Sequence, residues 1–369
     1  MDKTKIIHFR TKKKKITNYQ FTLCKNTIDF TAEYKYLGLT LHEHLNYTFS
    51  TEKLTTSAGK ALGAITAKYL KAKGLHFKTF SKIYEATVLP IMLYASQVWG
   101  KKLYQKQEDI HHRAMRTFLG VGKKTPIPAL YGETGWHKLA THKAKDCISY
   151  WLKLYNMDNN RLTKKIFIWD YKKALLGQNC WNKEIKEILT TIDMEDTFYG
   201  INVENIGKIK HDSHAKLVEL EKASILEEIN IMPKLRTYKT LLRNFGTPAY
   251  IKSRIEKSQR STITKLRVGV YPINIETGRH RKEKLEERTC PACINTIEDE
   301  EHFLVTCPLY NETRQNLYNY FKNNIDVDIT NLNEHERLVT MLDNPKTAAK
   351  TANFVKQAYN IRFNFIKHN

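Results

Sequence analysis

Cysteine is scarce in this sequence, with six residues in 369: Cys24, Cys147, Cys180, Cys290, Cys293 and Cys307. Six thiols cannot frame a chain of this length, which excludes a disulfide-stapled secreted scaffold. Long apolar runs are missing as well. The most apolar stretch, Ile83 to Trp99, is interrupted by Glu85, Pro90 and Gln97, and it falls short of the roughly 20 clean residues a membrane span needs. The opening MDKTKIIHFRTKKKK has no apolar segment of the kind a secretory signal carries. The expected address is therefore nuclear or cytoplasmic, in a reducing compartment, without secretion or membrane insertion. No repeat or low-complexity tract points to a solenoid or a disordered chain. There is no G-x-x-x-x-G-K-[ST] phosphate loop and no evident Ser–His–Asp arrangement, so no catalytic residue is assigned. Acidic residues are also in short supply: 38 against 61 Lys and Arg, a formal net charge of +23. A chain this basic repels itself unless polyanions offset the charge, and phosphate backbones are the expected partner.

What is present begins with short apolar or alternating runs at Ile6–Phe9, Phe21–Cys24, Thr27–Phe30 and Tyr34–Leu41. Their period and polar spacers predict a small antiparallel sheet within residues 1–47. The lysines Lys12, Lys13, Lys14 and Lys15 fall between the first two runs. They read as a solvated connection that can contact phosphate or serve as an import signal. From about residue 51 the period becomes helical. Leu54, Ala58, Ala61, Leu62, Ile65 and Tyr69 share one face. A second helix is expected from Phe77 to Trp99, kinked at Pro90 and ended by Gly100, and a third from Tyr104 to Leu119 with His111 and His112 on its solvent face. Residues 121–136, with two prolines and three glycines, read as a loop. Helical patterns resume at about 137–157, 181–193, 212–228 and 235–244, separated by polar linkers near 158–180 and 194–211. Residues 260–281 read as strand or irregular, and three more helices follow near 309–322, 333–343 and 347–367. The fold class is mainly α. Trp99, Trp136, Trp151 and Trp181 are expected as core anchors.

The sharpest local signal is C-x2-C-x8-H-x4-C, formed by Cys290, Cys293, His302 and Cys307. Two thiolates in a tight knuckle and two more ligands one turn later supply the four donors of a closed tetrahedral zinc site. Four protein ligands leave no position for water, so the expected role is structural. The acidic run Glu298–Glu301 between the halves reads as a solvated turn. The flank before the knuckle is cationic, with Lys265, Arg267, Arg279, Arg281 and Lys282 as candidate phosphate contacts. Such a pairing suits single-stranded RNA, with Tyr271 read as core rather than as a stacking platform. The Lys210–His214 segment reads as a polar helix start.

Several segments together resemble the C-terminal part of a non-LTR (LINE-type) retrotransposon reverse transcriptase. Lys3-Thr4-Lys5-Ile6-Ile7-His8-Phe9 looks like the late palm strand, and Tyr34-Lys35-Tyr36-Leu37-Gly38 is similar to the segment where palm passes into thumb. Ile83-Tyr84, Leu89–Tyr94 with Val98-Trp99-Gly100, Arg113–Arg116 and Phe118–Val121 resemble thumb helices, and Glu276-Thr277-Gly278-Arg279 precedes a knuckle within the family's spacing. The resemblance implies a palm-edge remnant at 1–47, a thumb-like bundle at 48–135, a helical connector at 136–260 and a zinc-knuckle nucleic-acid-binding region at 261–369. It further implies a primer-grip-like role for Tyr36, Leu37 and Gly38, and RNA or an RNA–DNA template–primer as partner. Lys3 matches a position near the departing pyrophosphate. Such a polymerase holds two Mg2+ ions on adjacent aspartates, and this chain contains no Asp-Asp pair. Mg2+ is not expected to bind, and the expected product positions nucleic acid without copying it. The alternatives are a decayed or mis-predicted fragment whose full-length product is an RNA-directed DNA polymerase, and a co-opted zinc-dependent adaptor that binds protein.

Overall fold

In the computed structural model, which describes residues 4–99, 102–201, 205–242, 245–325 and 327–368, helices dominate after a short β-containing start. The β structure among the described residues is two antiparallel pairs, Thr22–Leu23 with Asn26–Thr27 and Glu33–Tyr36 with Leu39–His42. In the second pair Tyr36 faces Leu39 across a two-residue turn in which Leu37 (φ 45°) and Gly38 (φ 90°) are both left-handed. Positive φ at both central positions matches strand twist in a tight hairpin, and glycine adopts it freely. The expected strand at Ile6–Phe9 shrinks to one parallel bridge, Ile6 to Phe30. Phe9 is 48% exposed, so no buried face fixes a longer register there.

Contacts divide the chain into two compact units, each drawn from three segments. These units cut across the four segments read from the sequence. The first comprises residues 1–64, 83–111 and 139–219. Its core gathers around Trp151, which is fully buried against Phe198, Phe167 and Leu189 and donates its indole N–H to Asn182 at 2.8 Å. The helices Leu139–Tyr155, Leu162–Leu175 and Trp181–Thr191 form its walls. The middle one occupies residues expected to form a polar linker. It buries Phe167 and Ala174 on one side and exposes Leu162, Ile166 and Trp169 on the other. Apolar residues on both sides blur the single-face period on which a helix is recognised.

The expected helix from Phe77 to Trp99 is three pieces, Phe77–Thr87, Leu89–Met92 and Ser96–Trp99. Pro90 sits in the first turn of the second piece, where its missing N–H costs nothing. The expected stop at Gly100 lies outside the described residues. His111 and His112 are buried rather than solvated. His111 meets the Tyr84 hydroxyl at 2.6 Å and His112 the Tyr131 hydroxyl at 3.1 Å. Lys210–His214 lies inside the helix Ile206–Ile231, not at its start.

The second unit comprises residues 65–82, 112–138 and 220–369. Tyr69, Phe80, Phe118 and Trp136 pack ring against ring in its core. The stretch read as a loop contains a buried helix, Ile127–Thr134. Its prolines, Pro126 and Pro128, occupy the N-cap and first turn, where proline starts a helix. Residues 260–281 are also helical, as Lys257–Arg267 and Asn274–His280. Here the buried positions include Arg260, Thr264 and Arg267, so the apolar period that would have announced the helix is filled with polar residues. The three C-terminal helices are Asn311–Ile325, Glu334–Asp343 and Ala348–His368. No helix of the described residues is long and apolar enough to cross a membrane.

Candidate metal centre and its basic flank

The metal-ligand cluster is built by two local turns in the second unit. In the first, Cys290 N–H donates to the Thr296 carbonyl at 2.7 Å and Thr296 N–H to the Cys293 carbonyl at 2.9 Å. This pulls the two cysteines onto one side of a knuckle. In the second, residues His302–Thr306 form one wide helical turn, closed by Cys307 N–H on the His302 carbonyl at 2.8 Å. Arg314 is buried beneath this turn. It donates to the Leu304 carbonyl at 2.8 Å and the Cys307 carbonyl at 2.7 Å.

The four ligand atoms of Cys290, Cys293, His302 and Cys307 lie within 4.8 Å of one another, and three of these residues are buried. Cys290 Sγ and Cys307 Sγ are 3.8 Å apart. That is the edge of a tetrahedron about an ion with metal–sulfur bonds of about 2.3 Å. At this separation one sulfur can hydrogen-bond to the other. The hydrogen bond from Cys307 pulls Cys290 down, to about 3, and the same bond pushes Cys307 above the ordinary thiol range. His302 supplies an independent test. Its Nδ1 meets Thr306 Oγ1 at 3.1 Å, while its buried Nε2 has no hydrogen bond by geometry among the described residues and is left to the thiol cluster. A ligating histidine has this arrangement, one ring nitrogen held by a neighbour and the other aimed at the ion. The cluster can hold a metal ion, and it is the one such group among the described residues.

The acidic run between the ligands is not a solvated turn. Glu298 and Glu300 are fully buried. Glu298 accepts from Arg362 at 2.5 and 2.6 Å and from Asn274 N–H at 2.7 Å. Glu300 accepts from Arg236 at 2.5 Å and Thr237 at 2.9 Å. These pairs tie the ligand loop to helices far away in sequence, and no local pattern announces them. Tyr271 is buried against Phe303 and Tyr359.

The cations expected to contact nucleic acid fare unequally. Arg267 is 1% exposed, with Nε 2.9 Å from Glu133 and Nη1 3.0 Å from Asp343. A phosphate cannot reach it, so Arg267 cannot make the contact expected of it. Lys265 is half-buried. Arg279, Arg281 and Lys282 are exposed; Arg279 is held by Glu276 and Arg281 by Glu283. The sequence reading missed Lys124, which the fold brings within 3.5 Å of His280 Nδ1, 156 residues along the chain. Lys12, Lys13, Lys14 and Lys15 are exposed on a turn of the first unit. Tyr36, Leu37 and Gly38 form the exposed hairpin turn of that unit, where the Tyr94 hydroxyl donates to the Leu37 carbonyl. Lys3 lies outside the described residues. Trp99, Trp136 and Trp151 are buried; Trp181 is half-buried and donates to the Gln97 carbonyl at 3.0 Å.

Compared with protein-family models, curated proteins and solved structures, the chain gives no match.

Proposed function

We propose that this chain is a nucleic-acid-binding part of a non-LTR retrotransposon reverse transcriptase, one that grips RNA through a zinc-stabilised knuckle and its basic flank and does not itself copy it. The observation that carries the reading is the close cluster of Cys290, Cys293, His302 and Cys307, preceded in the sequence by the exposed cations Arg279, Arg281 and Lys282. Three thiolates and one imidazole form a soft donor set that suits zinc. With all four positions filled by protein, the ion would fix the loop and leave no site for a reacting water. The thiolate set also suits a reducing nuclear or cytoplasmic compartment. The resemblance in Tyr34–Gly38, the thumb-like segments and the knuckle supplies the family. The lack of adjacent aspartates supplies the restriction to binding, because nothing in the chain offers Mg2+ the paired carboxylates of a polymerase.

Fluorescence anisotropy with single-stranded RNA, across a salt series and with zinc present or chelated, tests this reading. Binding that falls steeply with salt and weakens on chelation is the expected result. For single strands the log–log slope is about −0.7 per phosphate contact, so charge reversal at Arg279, Arg281 and Lys282 should flatten it by roughly two. Affinity no greater than that of a generic basic protein would overturn the RNA reading and favour a protein-binding adaptor. Nucleotide incorporation on a primed RNA with Mg2+ would overturn the restriction to binding.

A further inference from the structure

The first unit contains a cleft of about 640 Å³ that the knuckle reading does not use. Its walls are aromatic: Tyr47, Trp99, Tyr104 and Trp181. Two of these rings are pinned. The Trp99 indole donates to the Tyr94 carbonyl and the Trp181 indole to the Gln97 carbonyl, each at 3.0 Å. Trp99 and Tyr104 meet edge to face at 5.8 Å, and the buried Lys143 ammonium sits 4.6 Å from the Trp99 ring centre. The walls are therefore held open rather than free to collapse on each other. Lys102, Lys183 and Glu187 also line it; Lys102 and Glu187 are exposed, and Lys183 is half-buried with Nζ on the Gly177 carbonyl at 3.2 Å and on Asn179 Oδ1 at 3.3 Å. Glu184 is half-buried in the wall, and its carboxylate has no hydrogen bond or ion pair among the described residues.

Fixed aromatic faces suit a flat heteroaromatic ring, because every nucleobase has a π-face to stack. The Glu184 carboxylate keeps part of its surface in solvent and has no protein donor among the described residues, so it can accept one from a guest. Guanine presents two parallel N–H donors on its Watson–Crick edge, which a carboxylate can accept together, whereas uracil presents one donor between two acceptors. The two lysines among the lining residues add charge for a phosphate. We propose that this cleft receives one guanine nucleotide unit, with the base against Tyr104 and Trp181, its N–H edge on Glu184 and its phosphate at Lys102 and Lys183. The unit can be a free nucleotide or an unstacked residue of an RNA strand; only the second form rests on the RNA-binding reading above. Aromatic walls with carboxylates also suit a quaternary ammonium, but the two lysines and the net charge of +23 oppose a cationic guest.

Tryptophan fluorescence of the full chain, titrated with GMP, UMP and tetramethylammonium, tests the assignment. GMP should saturate, with UMP at least about tenfold weaker. Glu184→Gln should erase that gap while circular dichroism stays unchanged, and Tyr104→Leu should weaken both nucleotides. Equal GMP and UMP affinities, no saturable GMP response, or tighter binding of tetramethylammonium would each overturn it. An oligouridylate with one central guanine, compared with the all-uridine strand, separates the two forms. Salt-dependent RNA binding without any GMP response sinks this inference and leaves the RNA reading standing. GMP binding without RNA binding does the reverse.

Discussion

Arg267 stays charged inside the second unit because Glu133 and Asp343 surround its guanidinium at 2.9 and 3.0 Å. Glu133 also accepts the Tyr250 hydroxyl, so removing the arginine would strand a carboxylate in the core. Arg267→Met should therefore cost about 3–5 kcal/mol in urea denaturation, and the double change with Glu133→Gln less than the sum of the singles. A single variant as stable as the parent would show that the pair does not form. Lys143 makes the opposite kind of prediction. Burial lowers its pKa to about 8, although it donates to Lys102 and Gln107 carbonyl oxygens at 3.1 Å. Between pH 8 and about 10.4 the unfolded chain binds the extra proton, so stability rises with pH there and carries a constant penalty below. Relative to Lys143→Met, the parent should gain on the order of 1 kcal/mol per pH unit across that window; parallel profiles would rule the effect out. The sequence could not have revealed either environment. Arg267 and Glu133 are 134 residues apart, and the same distance problem hid Tyr84 from His111 and Arg362 from Glu298. The four ligands were legible because their spacing is local.

Elements were recognised where one face alone is apolar, as in Leu139–Tyr155 and Trp181–Thr191, and missed where another feature masked the period. Ile127–Thr134 was hidden by its prolines, and its end shows why the loop reading was half right. Gly135 caps it at φ 64°, and a Cβ there would lie 2.8 Å from Thr247 N. Thr247 in turn donates its hydroxyl to the Thr134 carbonyl at 2.7 Å. Gly135→Ala should lower stability by about 1–3 kcal/mol, from the left-handed backbone and the lost strap together. An unchanged thermal midpoint would contradict that close approach. The metal loop should respond locally instead. Chelation, or Cys307→Ser, should raise hydrogen exchange across residues 289–307 while the Lys257–Arg267 helix stays protected, since that helix packs on Ala348–His368 rather than on the ligands. Uniform deprotection of the second unit would mean that the ion supports the whole core.

At the scale of the molecule, the net charge of +23 acts on folding and on the proposed RNA binding with opposite sign. Raising ionic strength shortens the Debye length from about 30 Å at 0.01 M to about 8 Å at 0.15 M, which relieves self-repulsion. The thermal midpoint should climb over that range, in the same buffers that should weaken the proposed RNA binding. A midpoint that falls would show that attractive pairs such as Arg362–Glu298 outweigh the excess charge. The interleaving of the two units has its own consequence during synthesis. The first unit has all three of its segments once residue 219 has left the ribosome, whereas the second still lacks residues 220–369. Until those emerge, Tyr69, Phe80, Phe118 and Trp136 have been translated without the helices that later cover them. The nascent chain thus passes through an interval of exposed aromatic surface, which is a substrate for chaperones and a hazard if translation pauses.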